Sequence, residues 1–219
     1  MKKQFLLLVA VFVVLSTTLN AQNKDYRKVF SLTAGANIFS TTGKELLTGT
    51  SSDQIGGGTG VFKASPTFQV GYDYGFGKVF SLGLAVSYNN ASGDVKNVNW
   101  LDANKITKTS DINIKSFSRT TIGLRALFHY GNKGKLDMYT GFRLGVGLWK
   151  SDIVASNKDF DPYATIPGLR NGALPQAQFI PFGLRGYVTD NIGIGFETAI
   201  GSPYFASLQL TYRVGSGKN

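Results

Sequence analysis

The chain is predicted to be all-β, an eight-stranded antiparallel up-and-down transmembrane β-barrel, and three observations carry that expectation. Apolar and polar residues alternate with a period of two in eight separate segments. Long and short connections alternate in phase with strand direction. Charged residues make up only 16% of the chain against roughly 25% in soluble domains, while Gly reaches 27, Phe 16 and Tyr 10.

The first segment interleaves Phe30, Leu32, Ala34, Ala36 and Ile38 with Ser31, Thr33, Gly35 and Asn37. The second sets Phe68, Val70, Tyr72, Tyr74 and Phe76 against Gln69, Gly71, Asp73 and Gly75, and the third Phe80, Leu82, Leu84, Val86 and Tyr88 against Ser81, Gly83, Ala85 and Ser87. In the fourth, Ile122, Leu124, Ala126, Phe128 and Tyr130 oppose Thr121, Gly123, Arg125 and His129, with Leu127 as an apolar intruder. The fifth sets Met138, Phe142, Leu144, Val146 and Leu148 against Asp137, Tyr139, Gly141, Arg143, Gly145 and Gly147. The sixth reads Ile180, Phe182, Leu184 and Val188 outward and Pro181, Gly183, Arg185 and Tyr187 inward. Ile192 to Ile200 and Ala206 to Val214 complete the set. Nine residues at ~3.3 Å each and a ~45° tilt rise roughly 21 Å, close to the ~25 Å apolar band of an outer membrane.

Connections after the first, third and fifth segments are long, spanning 40 to 63, 92 to 113 and 151 to 175. Those after the second, fourth and sixth are turn formers, Gly77-Lys78, Gly131 to Lys135 and Thr189-Asp190-Asn191. The last outer connection, Ser202-Pro203-Tyr204, is short and breaks the trend. Short periplasmic turns and long extracellular loops give such an asymmetry. Phe30, Tyr74, Phe76, Phe80, Phe128, Tyr130 and Tyr212 fall at the turn ends and form a candidate periplasmic aromatic girdle.

Met1, Lys2 and Lys3 precede a nearly unbroken apolar run, Phe5 to Leu15, and a polar stretch ending at Ala21. This predicts a secretory signal peptide over 1–21, cut before Gln22, and a single domain over 22–219. The run is shorter than the ~18 residues of a spanning helix. Losing Lys2 and Lys3 takes the formal charge from +10 to +8, an excess suited to acidic headgroups and lipopolysaccharide phosphates. With no cysteine, neither an acylated anchor nor a disulfide is available.

Eight strands enclose a space filled by side chains, so no open pore is expected. Asp73, Arg125, Arg143, Arg185 and Glu197 all face inward and are expected to form a buried ionic cluster, Glu197 accepting from one or more arginines. The sole histidine, His129, is expected near Asp137 and Tyr187 in a structural hydrogen bond, and no catalytic constellation is read. Gly56-Gly57-Gly58-Thr59-Gly60 lacks the Lys of a phosphate loop and reads as flexible linker. No metal, cofactor or nucleic-acid site is expected. Loop residues Trp100, Phe160, Tyr163, Ile166 and Leu169 are apolar enough to pack over the barrel mouth or to bind.

The stretches Tyr139-Thr140-Gly141-Phe142-Arg143-Leu144-Gly145-Val146-Gly147 and Gly186 to Glu197, with the leader ending Asn20-Ala21-Gln22, resemble the outer-membrane β-barrel domain family abundant in Bacteroidetes. That family is similar in architecture to the OmpA and OmpX membrane domains and includes PorT-like proteins. The chain lacks the terminal Phe typical of proteobacterial barrels, ending Tyr212-Arg213-Val214 before a polar tail. The resemblance implies a monomeric outer-membrane protein that meets membrane lipids, lipopolysaccharide and other envelope proteins. Its expected role is envelope structure or surface contact through the long loops. A narrow channel or carrier of small hydrophobic molecules, a PorT-like part in type IX secretion, and a lipid-modifying enzyme are the rival roles. A soluble lipocalin-like barrel, with the Phe and Leu rows turned inward, is the structural rival.

Overall fold

The computed structural model describes residues 28–37, 55–56, 59–77, 79–101, 106–130, 135–162 and 171–215. The expected leader with its cleavage site, Tyr163, Ile166 and Leu169 lie outside them. Ten strands follow in order: β1 (Lys28–Ala36), β2 (Ile55–Gly56), β3 (Thr59–Ala64), β4 (Thr67–Phe76), β5 (Phe80–Leu101), β6 (Thr107–His129), β7 (Leu136–Ala155), β8 (Gly172–Tyr187), β9 (Ile192–Gly201) and β10 (Ala206–Val214).

Eight of them close a ring. β5 pairs β4, β4 pairs β1, β1 pairs β10, and the chain of antiparallel neighbours then runs through β9, β8, β7 and β6 back to β5. The seam between first and last strands holds nine residue pairs, from Lys28 opposite Val214 to Ala36 opposite Ala206. Closure leaves no edge strand in the ring.

The alternation read from sequence becomes a wall with two faces. Outward, Leu124 is 64% exposed, Leu144 63%, Ile194 64% and Leu208 69%. Inward, Thr33, Gln69, Asp73, Arg125, Arg185 and Glu197 are buried. Polar atoms fill the interior and hydrocarbon covers the exterior, which is the reverse of a soluble barrel.

Three sequence expectations need correction. The segment 92–113 is largely strand and 151–175 begins and ends in strand, because β5, β6 and β7 continue well past the ring and β8 starts at Gly172, while 40–63 contributes β2 and most of β3. Gly56, Thr59 and Gly60 therefore belong to strands paired with β5, and the flexible-linker reading fails for them; Gly57 and Gly58 lie outside the described residues. In β8 the inward set changes phase: Ile180 is fully buried and Phe179 is 39% exposed, with Pro181 also outward. A register shift between Phe179 and Phe182 inserts the extra residue, and a one-residue slip moves a side chain to the other face.

Beyond the ring, β3, β5, β6 and β7 form a sheet at the loop end with its own apolar core: Val95, Val98, Trp100, Ile112, Ile114, Phe117, Ile153 and Phe160. Register shifts at Ala91/Gly93 and Val95/Val98 in β5 and at Ile114/Ser116 in β6 mark the passage from barrel to extension. Below that bulge β6 turns Phe117 and Arg119 inward, and above it Ile112 and Ile114. Trp100 packs on Phe160 with centroids 5.3 Å apart, so these two residues stabilise the extension. Trp100→Ala should cost about 3–5 kcal/mol of local packing. Limited proteolysis should then cut within β5 above Ala91 while the ring stays intact on a non-boiled gel; resistance equal to wild type would contradict this core.

Candidate functional site in the barrel lumen

Alternation places one inward side chain every second residue, and in a ring this narrow neighbouring strands must share the space. Glu197 of β9 sits at the centre, fully buried. Its Oε2 accepts from Arg125 Nη2 at 2.7 Å, from the Tyr139 hydroxyl at 3.0 Å and from Gln209 Nε2 at 3.2 Å. Its Oε1 accepts from the Tyr204 hydroxyl at 2.6 Å and lies 3.6 Å from Arg143 Nη2.

A second carboxylate, Asp73 of β4, accepts from Arg185 Nη2 at 2.6 Å. Its Oδ1 stands 3.6 Å from Arg125 Nε, a Coulombic contact too long for a hydrogen bond. Arg185 Nη1 is 3.7 Å from Asp137 Oδ2. Arg125 thus links Glu197 to Asp73, and Arg185 links Asp73 to Asp137. Three arginines face three carboxylates, which offsets the several kcal/mol per ion that an unpaired charge would cost in this setting.

All five lumen residues named from sequence are buried on the inner wall, and the ion pairs join them into one network. Sequence reading missed the neutral groups that complete it. Tyr204 enters from the short β9–β10 connection and is 1% exposed. Its hydroxyl accepts from Arg143 Nη2 at 3.0 Å, its backbone carbonyl accepts from Gln178 Nε2 at 2.6 Å, and the Arg143 guanidinium stacks 5.1 Å from its ring. Arg143 Nη1 also donates to Gln178 Oε1. Just above, Arg119 donates to Ser202 Oγ at 2.6 Å and to the Pro203 carbonyl at 2.8 Å, fastening the same connection. The one signal that could have found this plug is the anomalous shortness of Ser202-Pro203-Tyr204.

Two glycines are dictated by these rings. A Cβ on Gly183 would run into the Tyr139 ring, and one on Gly35 would lie 2.7 Å from Tyr204 Cγ. Tyr139 is in turn sandwiched by charge, with Arg185 4.5 Å and Arg125 5.9 Å from its centroid.

At the turn end, His129 is held from both sides. Nδ1 lies 2.7 Å from Asp137 Oδ1, and Nε2 lies 2.9 Å from Ser81 Oγ. Asp137 was the expected partner and Ser81 was not. Outside, aromatic residues of the turn end make one pair and one run of ring contacts. Phe30 meets Tyr72 at 5.0 Å, Tyr74 meets Phe76 at 5.1 Å, Phe76 meets Phe80 at 6.2 Å and Phe80 meets Phe128 at 5.2 Å. Tyr212 lies opposite Phe30 in the ladder, and Tyr130 is 57% exposed. Among the described residues no cluster of His, Cys, Asp and Glu has the makings of a metal site.

No protein-family model and no curated protein matches the chain by sequence. Among solved structures, the N-terminal β-barrel domain of Pseudomonas aeruginosa OprF is similar at 14% identity and a TM-score of 0.43, over 88% of this chain and 100% of that one. Ail, the attachment invasion locus protein of Yersinia pestis, solved with the heparin analogue sucrose octasulfate, is 10% identical with a TM-score of 0.40, over 87% and 99%. Neisserial surface protein A is 13% identical with a TM-score of 0.37, over 88% and 97%.

Removing Glu197 leaves buried Arg143 without a carboxylate and Arg125 with Asp73 alone. Glu197→Ala is expected to destabilise the barrel by about 3–5 kcal/mol, and Glu197→Gln by less because it keeps an acceptor. Urea midpoints of the refolded protein in detergent measure both, and an unchanged midpoint for Glu197→Ala would refute the network. Gly183→Ala, which forces Tyr139 aside, is expected to cost about 1–3 kcal/mol in the same assay.

Proposed function

We propose that the chain is a small integral outer-membrane β-barrel protein, exported through its cleaved leader, without an open pore. In this reading it acts as a monomer through its loop-end extension, in envelope structure or surface contact. One observation carries the reading: an unbroken exposed apolar wall around a buried polar interior. Exposed apolar patches of more than a few hundred Å² are rare on soluble monomers, and this wall circles the ring through Leu32, Val70, Leu84, Leu124, Leu144, Ile194 and Leu210. The lumen network supports the absence of a pore, since Tyr139, Glu197 and Arg125 occupy the centre with no more than 0% exposure each.

The wall also has two different borders. Towards the turns it ends in those aromatic residues, which in this reading are the periplasmic girdle. Towards the loops, Tyr88, Thr120 and Leu148 give way to Asn90, Ser118 and Lys150, and a cleft is lined by Tyr88, Ser118, Thr120, Leu148, Lys150 and Asn171. Hydroxyls and an ammonium beside an aromatic ring suit a lipid or lipopolysaccharide phosphate at the membrane surface. Other envelope proteins would meet the extension above it. A PorT-like part in type IX secretion rests on the glycine and aromatic spacing alone, and cargo secretion by a deletion strain tests it.

Cell fractionation combined with heat-modifiability on a gel tests the central reading: the protein should track with outer membranes and migrate differently before and after boiling. Recovery as a folded monomer from a detergent-free aqueous extract would overturn it. Within vesicles, Leu124→Arg should lower stability by about 2–4 kcal/mol if that row faces hydrocarbon, and a change near zero would place the row in water.

A further inference from the structure

Ser81, His129 and Asp137 belong to three adjacent strands and point into the turn end of the lumen. Asp137 Oδ1 is 2.7 Å from His129 Nδ1, and Ser81 Oγ is 2.9 Å from His129 Nε2. An ionised carboxylate accepts only, so it fixes the imidazole proton on Nδ1 and leaves a lone pair on Nε2 to receive the serine proton. The arrangement is that of an activated serine: nucleophile, base and a positioning carboxylate in one line, with both distances in hydrogen-bond range. Periodicity concealed the serine, since Ser81 lies 48 residues from His129 and meets it only through the register of β5 and β6.

A cavity of about 30 Å³ adjoins the line, walled by Gly75, Gly77, Ser81, His129, Asp137 and Arg185. That volume holds a water or an acetyl group and little else. Gly75 and Gly77 place no side chain in its mouth. Arg185 is fully buried; its Nη2 donates to Asp73, its Nη1 stands 3.7 Å from Asp137 Oδ2, and its Nε donates no hydrogen bond. Its guanidinium shares the cavity wall with Ser81 and Asp73, and Nε is the donor it can offer a developing oxyanion there.

We propose that Ser81 is a nucleophile activated by His129, with Asp137 as positioning residue, and that this turn-end cavity hydrolyses esters of acetyl size. Ser81 Oγ bonds to the carbonyl carbon as its proton passes to His129 Nε2. The carbon–oxygen bond to the leaving alcohol then breaks, and the alcohol departs with that proton. Water attacks the acetyl-serine by the same route, giving acetate and free Ser81. The activity goes beyond the surface role above and does not depend on it, because it needs only the folded barrel.

The full chain, refolded in detergent and checked by heat-modifiability, is assayed with p-nitrophenyl acetate, and acid-quenched samples are mapped by peptide mass spectrometry. Wild type should carry an acetyl group on Ser81 and turn over about 100-fold or more faster than Ser81→Ala or His129→Gln, the share that general-base assistance supplies. Ser87→Ala, an equally buried lumen serine on the same strand, should match wild type. Asp137→Asn should slow turnover and Asp137→Glu restore part of it, a recovery that loss of packing alone would not give. Equal rates for wild type and Ser81→Ala, or acetyl groups on lysines only, would overturn the proposal. Should Ser81→Ala fail to fold, the site of acetylation in wild type decides alone.

Discussion

Closing eight strands into a ring fixes the size of the space inside, and that space is too narrow to keep charges hydrated and apart. Every inward side chain must therefore mesh with those of the strands across from it. Arg125 can be buried because Glu197 and Asp73 reach it from either side, and Tyr139 can lie flat between two guanidiniums because Gly183 yields the room its ring needs. Charge pairing and glycine placement are two answers to one geometric limit.

The same limit separates the two ends of the molecule. Within the ring the interior is polar and the exterior apolar, but once β5, β6 and β7 rise past it the pattern returns to that of a water-soluble sheet, with Trp100, Ile112 and Phe160 inside. The change of parity comes from a bulge in β6 between Ile114 and Phe117 and one in β5 between Val95 and Val98, while β7 carries its parity unchanged into the extension. The loop end is thus a built, packed sheet with its own apolar core.

Much of this was legible because period-2 alternation survives whatever the surroundings are. The ring strands, the outward rows and the inward placement of Asp73, Arg125, Arg143, Arg185 and Glu197 all follow from parity alone. Parity fails where a bulge intervenes, which is why Ile180 was assigned to the wrong face. It also fails beyond the ring, where strands without long apolar rows read as loops, and it cannot say which inward groups meet. The pairing of Ser81 with His129 depends on the stagger between β5 and β6, and the descent of Tyr204 depends on the path of a three-residue connection. Neither leaves a trace in hydrophobic pattern.

Glu197 and Tyr204 both lie in the C-terminal hairpin, β9 and β10, whose last strand also forms the seam with β1. Without that hairpin Arg143 has no carboxylate and Arg125 has Asp73 alone. Docking the final hairpin zips nine residue pairs and brings Glu197 to both cations. Sealing of the wall and charge balance of the interior therefore both depend on the same C-terminal hairpin.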